Sequence, residues 1–92
     1  MTTKPVTVSN ALGLHARAAA RFVHLASGFR SHVKVSRGSQ TMDGKSIMGV
    51  LLLAAARGTP LTIAADGRDE TAAVLALTAL VESGFGEDPC SG

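Results

Sequence analysis

Gly13-Leu14-His15-Ala16-Arg17 sets an imidazole and a guanidinium two residues apart, where an alternating stretch gives way to a helical one. A histidine at a helix start lies beside unpaired N–H groups and the positive helix end, and both favour an anion on or next to the ring. The same field disfavours imidazolium and leaves a ring nitrogen available as a nucleophile. Arg17 can add charge-assisted bonds to a phosphoryl group. The predicted site is an activated histidine with an anion cradle. Magnitudes narrow its chemistry: a helix end is worth about 0.3–1 kcal/mol to an anion, at most ~2, and a charged hydrogen bond about 1.5–3 kcal/mol. Stabilisation of that size holds a phosphorylated histidine without exhausting its transfer potential, which suits a carrier better than a hydrolase.

The other candidates are weaker. His24 lies nine residues beyond His15, about 180° away round an ideal helix, and His32 opens the next alternating stretch. No pair of ligands has the short spacing of a metal site, so no metal and no cofactor is expected. No Asp or Glu is near His15 in sequence to complete a Ser-His-Asp constellation. Asp43-Gly44-Lys45-Ser46 ends like a phosphate-binding P-loop, but that pattern needs glycine at position 39, where the chain has Ser39. What remains is Ser46 at a helix N-cap beside Lys45, a place that would welcome an added phosphate.

The helix after Ser46 has no polar face in its first turns: Ile47, Met48, Val50, Leu51, Leu52 and Leu53. Two readings stand side by side: one stripe, with Val50 and Leu53, covers a sheet and leaves Ile47, Met48 and Leu51 to face outward as a binding patch, or the small domain simply buries all of these residues. Gly49 inside this helix costs about 1 kcal/mol against alanine, which suggests close approach of a backbone or a partner.

These residues must be held by a scaffold, and its elements are visible as periodicities. Alternation at 5–9, 32–36 and 61–65 reads as half-buried strands, and a weaker strand at 40–43 follows the turn Arg37-Gly38-Ser39-Gln40. Ala19, Phe22, Val23 and Ala26 lie on one helical face, as do Val74, Leu77, Leu80 and Val81, with Asp69 or Thr71 to cap the last helix. Gly28, Gly58 and Gly84 are expected to close the three helices, twice in the phrase Ser-Gly-Phe, which suits a left-handed glycine after a helix. The order β-α-β-β-α-β-α fits an α+β open-faced sandwich: a four-stranded antiparallel sheet covered on one face by three helices. Thr7, Ser9, Lys34 and Thr62 should lie on its uncovered face.

Ninety-two residues, 46% hydrophobic and 17% charged, make one globular domain, placed at residues 1–88 with a short tail at 89–92. The longest apolar run, 50–56, is far below the roughly 20 residues needed to span a bilayer, and the start has no apolar signal core. A cytoplasmic monomer with no membrane insertion is expected. Cys90, the only cysteine, can form no internal disulfide. The formal charge of +2 hides a split: residues 1–65 carry eight bases and one acid, and residues 66–92 one base and six acids. Without Trp or Tyr, the basic front lacks the stacking platforms of many nucleic-acid binders, so no nucleic-acid partner is expected. It reads better as a docking face for acidic proteins.

Gly13-Leu14-His15-Ala16-Arg17-Ala18-Ala19, with Ser46-Ile47-Met48 and the β-α-β-β-α-β-α order, resembles the HPr family, the histidine-containing phosphocarriers of the bacterial phosphoenolpyruvate-dependent phosphotransferase system. The resemblance covers about residues 4–86. It implies that His15 accepts a phosphoryl group at Nδ1 from phosphorylated enzyme I and passes it to an EIIA-type acceptor, with Arg17 steadying the group. It also implies a sheet of strand order 1-4-2-3. Ser46 matches the family's regulatory site, the target of an HPr serine kinase/phosphorylase in many bacteria. Ile47, Met48 and Leu51, with Ala16 and Ala20, match the partner-binding patch. Two positions depart from the usual pattern, Ala18 for proline and Leu12 for a small polar residue. Ala18, the Ile-Met pair and the ending Ser83-Gly84-Phe85-Gly86-Glu87-Asp88 lean toward the system's nitrogen-regulatory branch. The alternative is a regulatory binding module controlled at Ser46 with little transfer at His15.

Overall fold

The computed structural model describes residues 1–86, so the expected tail at 89–92 and Cys90 lie outside the described residues. The elements keep the expected order: β1 (Thr2–Thr7), α1 (Ala16–Ser27), β2 (His32–Arg37), β3 (Gln40–Asp43), α2 (Ile47–Leu52), β4 (Pro60–Asp66) and α3 (Glu70–Glu82). The strands form one antiparallel sheet in the order β1-β4-β2-β3. In its register Thr2 pairs with Ala65 and Thr7 with Pro60, while Lys34 of β2 sits between Ala64 of β4 and Asp43 of β3. Val6, Val33, Val35, Leu61, Ile63 and Ala65 point from the sheet into the core, while Thr7, Lys34 and Thr62 are exposed. Ser9, expected with them, is exposed beyond the end of β1, where its hydroxyl bonds the carbonyls of Val81 and Glu82.

Helix α1 occupies the middle of the covering layer, touching α2 on one side and α3 on the other. Its face of Ala18, Ala19, Phe22 and Ala26 is buried, and Val23 is half-buried. In α3, Val74, Leu77 and Val81 are buried and Leu80 packs against the core. The core is thus one layer of side chains between the sheet and the helices.

Element ends differ from the periodicity reading for local reasons. β1 begins at Thr2, not residue 5, because Thr2, Thr3 and Lys4 are ladder residues on an edge strand with little burial to mark them. α2 stops at Leu52, well before Gly58, because Ala54 turns left-handed at φ 49 and the Arg37 guanidinium takes the carbonyls of Leu53 and Ala54. The two Ser-Gly-Phe phrases behave differently. Gly84 is left-handed at φ 72, and the Phe85 N–H bonds the Leu80 carbonyl and the Gly84 N–H that of Val81, a Schellman ending with Phe85 buried against the core. Gly28 stays right-handed at φ −76, so α1 ends in a tightening turn instead. Asp69 is the N-cap of α3 by position, but its carboxylate bonds Ser31 and the Arg30 N–H across the fold rather than its own helix.

Candidate functional site

The loop that presents His15 is built from short-range ties and one long-range support. The Asn10 side-chain amide donates to the Gly13 carbonyl at 2.8 Å, and the Gly13 N–H returns to the Asn10 carbonyl at 3.2 Å. Gly13 adopts φ 67, and a Cβ there would lie 2.5 Å from the Ala55 carbonyl oxygen, so only glycine fits this left-handed, crowded position. That same Ala55 carbonyl accepts the Leu14 N–H at 2.9 Å, and the Leu14 side chain is buried. The His15 N–H then bonds the Gly13 carbonyl at 2.9 Å. The chain arrives at α1 already fixed on both sides.

His15 is itself the N-cap of α1, with extended backbone at φ −74 and ψ 175. Its carbonyl accepts the Ala19 N–H at 2.9 Å and its Nδ1 accepts the Arg17 N–H at 3.2 Å. A ring nitrogen that accepts an N–H carries a lone pair, so this geometry places the ring proton on Nε2. Spacing alone sets the histidine beside a helix end; the structure makes its ring part of that end. Nδ1 therefore lies among the first-turn N–H groups, where the helix field favours negative charge. The Arg17 side chain is exposed. Ala18 is fully buried under α1, so this position serves core packing as well as the first turn.

Ser46 caps α2: with extended backbone at φ −115 and ψ 118, its Oγ accepts the Gly49 N–H at 3.1 Å. Gly49 answers to close approach, since a Cβ would lie 3.3 Å from the Asp43 carbonyl oxygen at the end of β3. His15 and Ser46 thus head two helices that pack side by side. Lys45 does not reach toward an anion at Ser46; its ammonium donates to the Phe29 carbonyl at 2.7 Å.

The apolar patch is present but shifted. Ala16 and Ala20 are exposed on α1, and Ile47 and Met48 are 45% and 67% exposed on α2. Leu51 is only half-buried and packs against the core, while Leu52, not anticipated, is 60% exposed in its stead. With Val50 and Leu53 as the buried pair, Leu51 and Leu52 flank the outward direction equally at about 100° per residue, and the packing of Leu51 against the core leaves Leu52 as the exposed one. Leu12, 69% exposed, stands on the His15 loop itself. Asn10, Ala55 and Arg37 also shape the site without standing out in the sequence. Asn10 with Gly13 three residues later is a turn signal that could have been read; the Ala55 and Arg37 contacts are long-range and leave no local mark.

Among the described residues, no group of three His, Cys, Asp or Glu side chains gathers as a metal set, and no helix is long and apolar enough to cross a membrane. The family model described as "PTS HPr component phosphorylation site" matches residues 2–83. The chain is 49% identical over 87 residues to phosphocarrier protein HPr of Cupriavidus necator, covering 95% of this chain and 98% of that one. It superposes on HPr from Thermoanaerobacter tengcongensis with a TM-score of 0.92 at 41% identity, covering 96% of this chain and 99% of the other. A second structure from that organism, described as an HPr dimer, matches at a TM-score of 0.75 and 41% identity, covering 95% and 100% of the two chains. With the histidine at the head of α1 and the 1-4-2-3 sheet in place, these likenesses put the chain in the HPr family, the phosphocarrier proteins of the phosphotransferase system.

Proposed function

We propose that His15 is the phosphoryl acceptor, taking the group from phosphorylated enzyme I and passing it to an EIIA-type acceptor protein. The observation that carries this reading is the Arg17 N–H on Nδ1, which keeps a lone pair on the nitrogen at the positive end of α1. That lone pair attacks phosphorus as the bond to the donor's nitrogen breaks, and the donor leaves with the electron pair. The new phosphoryl oxygens then replace Nδ1 as acceptors for the first-turn N–H groups, and the Arg17 guanidinium, exposed at the same helix end, supplies further donors. Reversal of the same steps delivers the group onward, so the chain acts as a carrier rather than a stand-alone catalyst.

Partners would seat on the apolar patch of Ala16, Ala20, Ile47 and Met48, with Leu52 and the half-buried Leu51 at its margin. Ser46 heads α2 at that patch, so a phosphate added there by a serine kinase would set about −1.5 to −2 charges beside Ile47 and Met48 and oppose docking. We read the working form as a monomer in the cytoplasm. Support for the monomer comes from the sheet edges: β1 carries exposed Lys4 and Pro5, and β3 has only four residues, features that discourage edge pairing.

The test is phosphoryl uptake from phosphoenolpyruvate and enzyme I by wild type, His15→Ala and Ser46→Asp. An acid-labile, alkali-stable adduct is expected on wild type alone at full rate, slower on Ser46→Asp and absent from His15→Ala. Labelling that survives His15→Ala overturns the assignment. Phosphate incorporation at Ser46 without any uptake at His15 would instead favour a regulatory binding module.

A further inference from the structure

We infer that Arg37 is a positioning residue for His15, acting through the turn at residues 53–55. The inference rests on His15 as the acceptor and extends it to a side chain on a strand of the hairpin. Arg37 ends β2, immediately before the Gly38 turn. From there its guanidinium Nη1 donates to the Leu53 carbonyl at 2.8 Å and the Ala54 carbonyl at 3.3 Å. The Leu53 carbonyl is an orphan of the α2 C-terminus and that of Ala54 follows directly after the cap, and a cation there also meets the negative helix end.

The bond does more than finish a helix, because the residues just beyond it support the His15 loop. Ala54 holds φ 49, a left-handed conformation that costs a residue with a Cβ. The next carbonyl, that of buried Ala55, accepts the Leu14 N–H and forms the surface on which Gly13 rests. Gly13 in turn accepts the His15 N–H. Without Arg37, the Ala54 peptide is free to relax toward the right-handed region, which turns the Ala55 carbonyl away from Leu14. The ring of His15 then loses its fixed approach while the core residues Leu53 and Ala55 stay buried. Arg37 touches no reacting atom; it keeps the support of the loop in one conformation.

The experiment compares the full chain as wild type, Arg37→Ala, Arg37→Lys and Ser31→Ala. The last loses the Ser31 hydroxyl bond to Asp69 at the opposite end of α1, and serves as a control for general destabilisation. Three readouts are taken: amide exchange at Leu14, the ring nitrogen resonances of His15, and the rate of phosphoryl uptake against enzyme I concentration. Arg37→Ala should speed Leu14 exchange, shift the His15 ring signals and lower the saturating rate about tenfold, as expected for a loosened reacting group, with KM for enzyme I little changed. Arg37→Lys, which keeps a cationic donor, should recover most of each. Ser31→Ala should leave all three near wild type at whatever melting temperature it has. Arg37→Ala with unchanged Leu14 exchange and ring signals, or Ser31→Ala with equal changes, overturns the proposal. If wild type takes up no phosphoryl group, the acceptor reading fails, and the exchange and ring signals still decide the role of Arg37.

Discussion

The two ends of the sheet are secured by opposite chemistry. Where β1 begins and α3 starts, carboxylates do the holding. Asp69 accepts the Ser31 hydroxyl and the N–H groups of Arg30 and Ser31, tying the entry of β2 to the head of α3. Glu70 accepts the Thr2 hydroxyl and pairs with the chain's ammonium at 3.1 Å, with Asp66 at 3.9 Å from the same ammonium. At the His15 end, the ties are backbone N–H groups and arginines on carbonyls: Leu14 on Ala55, Arg37 on Leu53 and Ala54, and Arg21 on Phe85. Arginine bound to a carbonyl keeps its full charge, whereas arginine bound to a carboxylate is neutralised. The carbonyl-tied end therefore keeps its positive charge, which under the proposed function would meet an incoming phosphoryl group, and the carboxylate-tied end carries the acid sensitivity.

That contrast can be broken at several points. His15→Ala should abolish phosphoryl uptake altogether and cost only about 1 kcal/mol of stability, through loss of the cap on the Arg17 N–H, since the ring is otherwise only partly buried. Uptake that persists would move the transfer site elsewhere. Gly13→Ala should cost about 2 kcal/mol of stability, from the left-handed backbone and the clash with the Ala55 carbonyl. Its uptake rate should fall further than stability alone explains, and denaturant melts beside rate measurements would separate the two effects. Ser46→Ala should cost about 1 kcal/mol through loss of the cap on Gly49. Ser46→Asp should keep most of that stability, because aspartate also caps, yet weaken enzyme I binding as seen by titration calorimetry.

The smallest effect belongs to the other end and depends on pH. The Ser31 hydroxyl, and after it the Arg30 N–H, lowers the Asp69 pKa from its ordinary 3.8 to about 2. The Thr2 hydroxyl and the chain's ammonium likewise lower that of Glu70. A group with a depressed folded-state pKa adds stability above its unfolded value and loses it as pH falls toward the folded one. Asp69→Asn should thus narrow the drop in melting temperature between about pH 4 and pH 2, and leave phosphoryl uptake at neutral pH untouched. A change in uptake would show that the two ends are not separate.

Much of the molecule is legible in residue order because the fold obeys simple periods. The helical faces of α1 and α3 and the alternation in β2 and β4 come from burying one side of each element, and those faces are the ones the core uses. His15 and Ser46 are legible because a helix start has only a few residues that can cap it. Details that depend on contact across the fold are not. Asp69 precedes a helix and looks like its cap, but Ser31, 38 residues away in sequence, offers its carboxylate better-placed donors. Leu51 and Leu52 are indistinguishable by type and flank the buried pair Val50 and Leu53 equally, and only the contact of Leu51 with the assembled core decides which of them faces out. Ala54 has no sequence signal for a left-handed turn; the Arg37 contact that accompanies it comes from another strand.

The bare face of the sheet has a consequence for how the molecule opens. With a single layer of core, every helix is roof to the strands beneath it, and no second layer shares the load. The six residues of α2 are the shortest span of that roof, fastened by Ser46 at one end and Arg37 at the other. Transient opening should accordingly begin there, uncovering Val50 and Leu53 above β3 before α1 or α3 lifts. The surface that partners would grip is also the part of the fold that comes loose first.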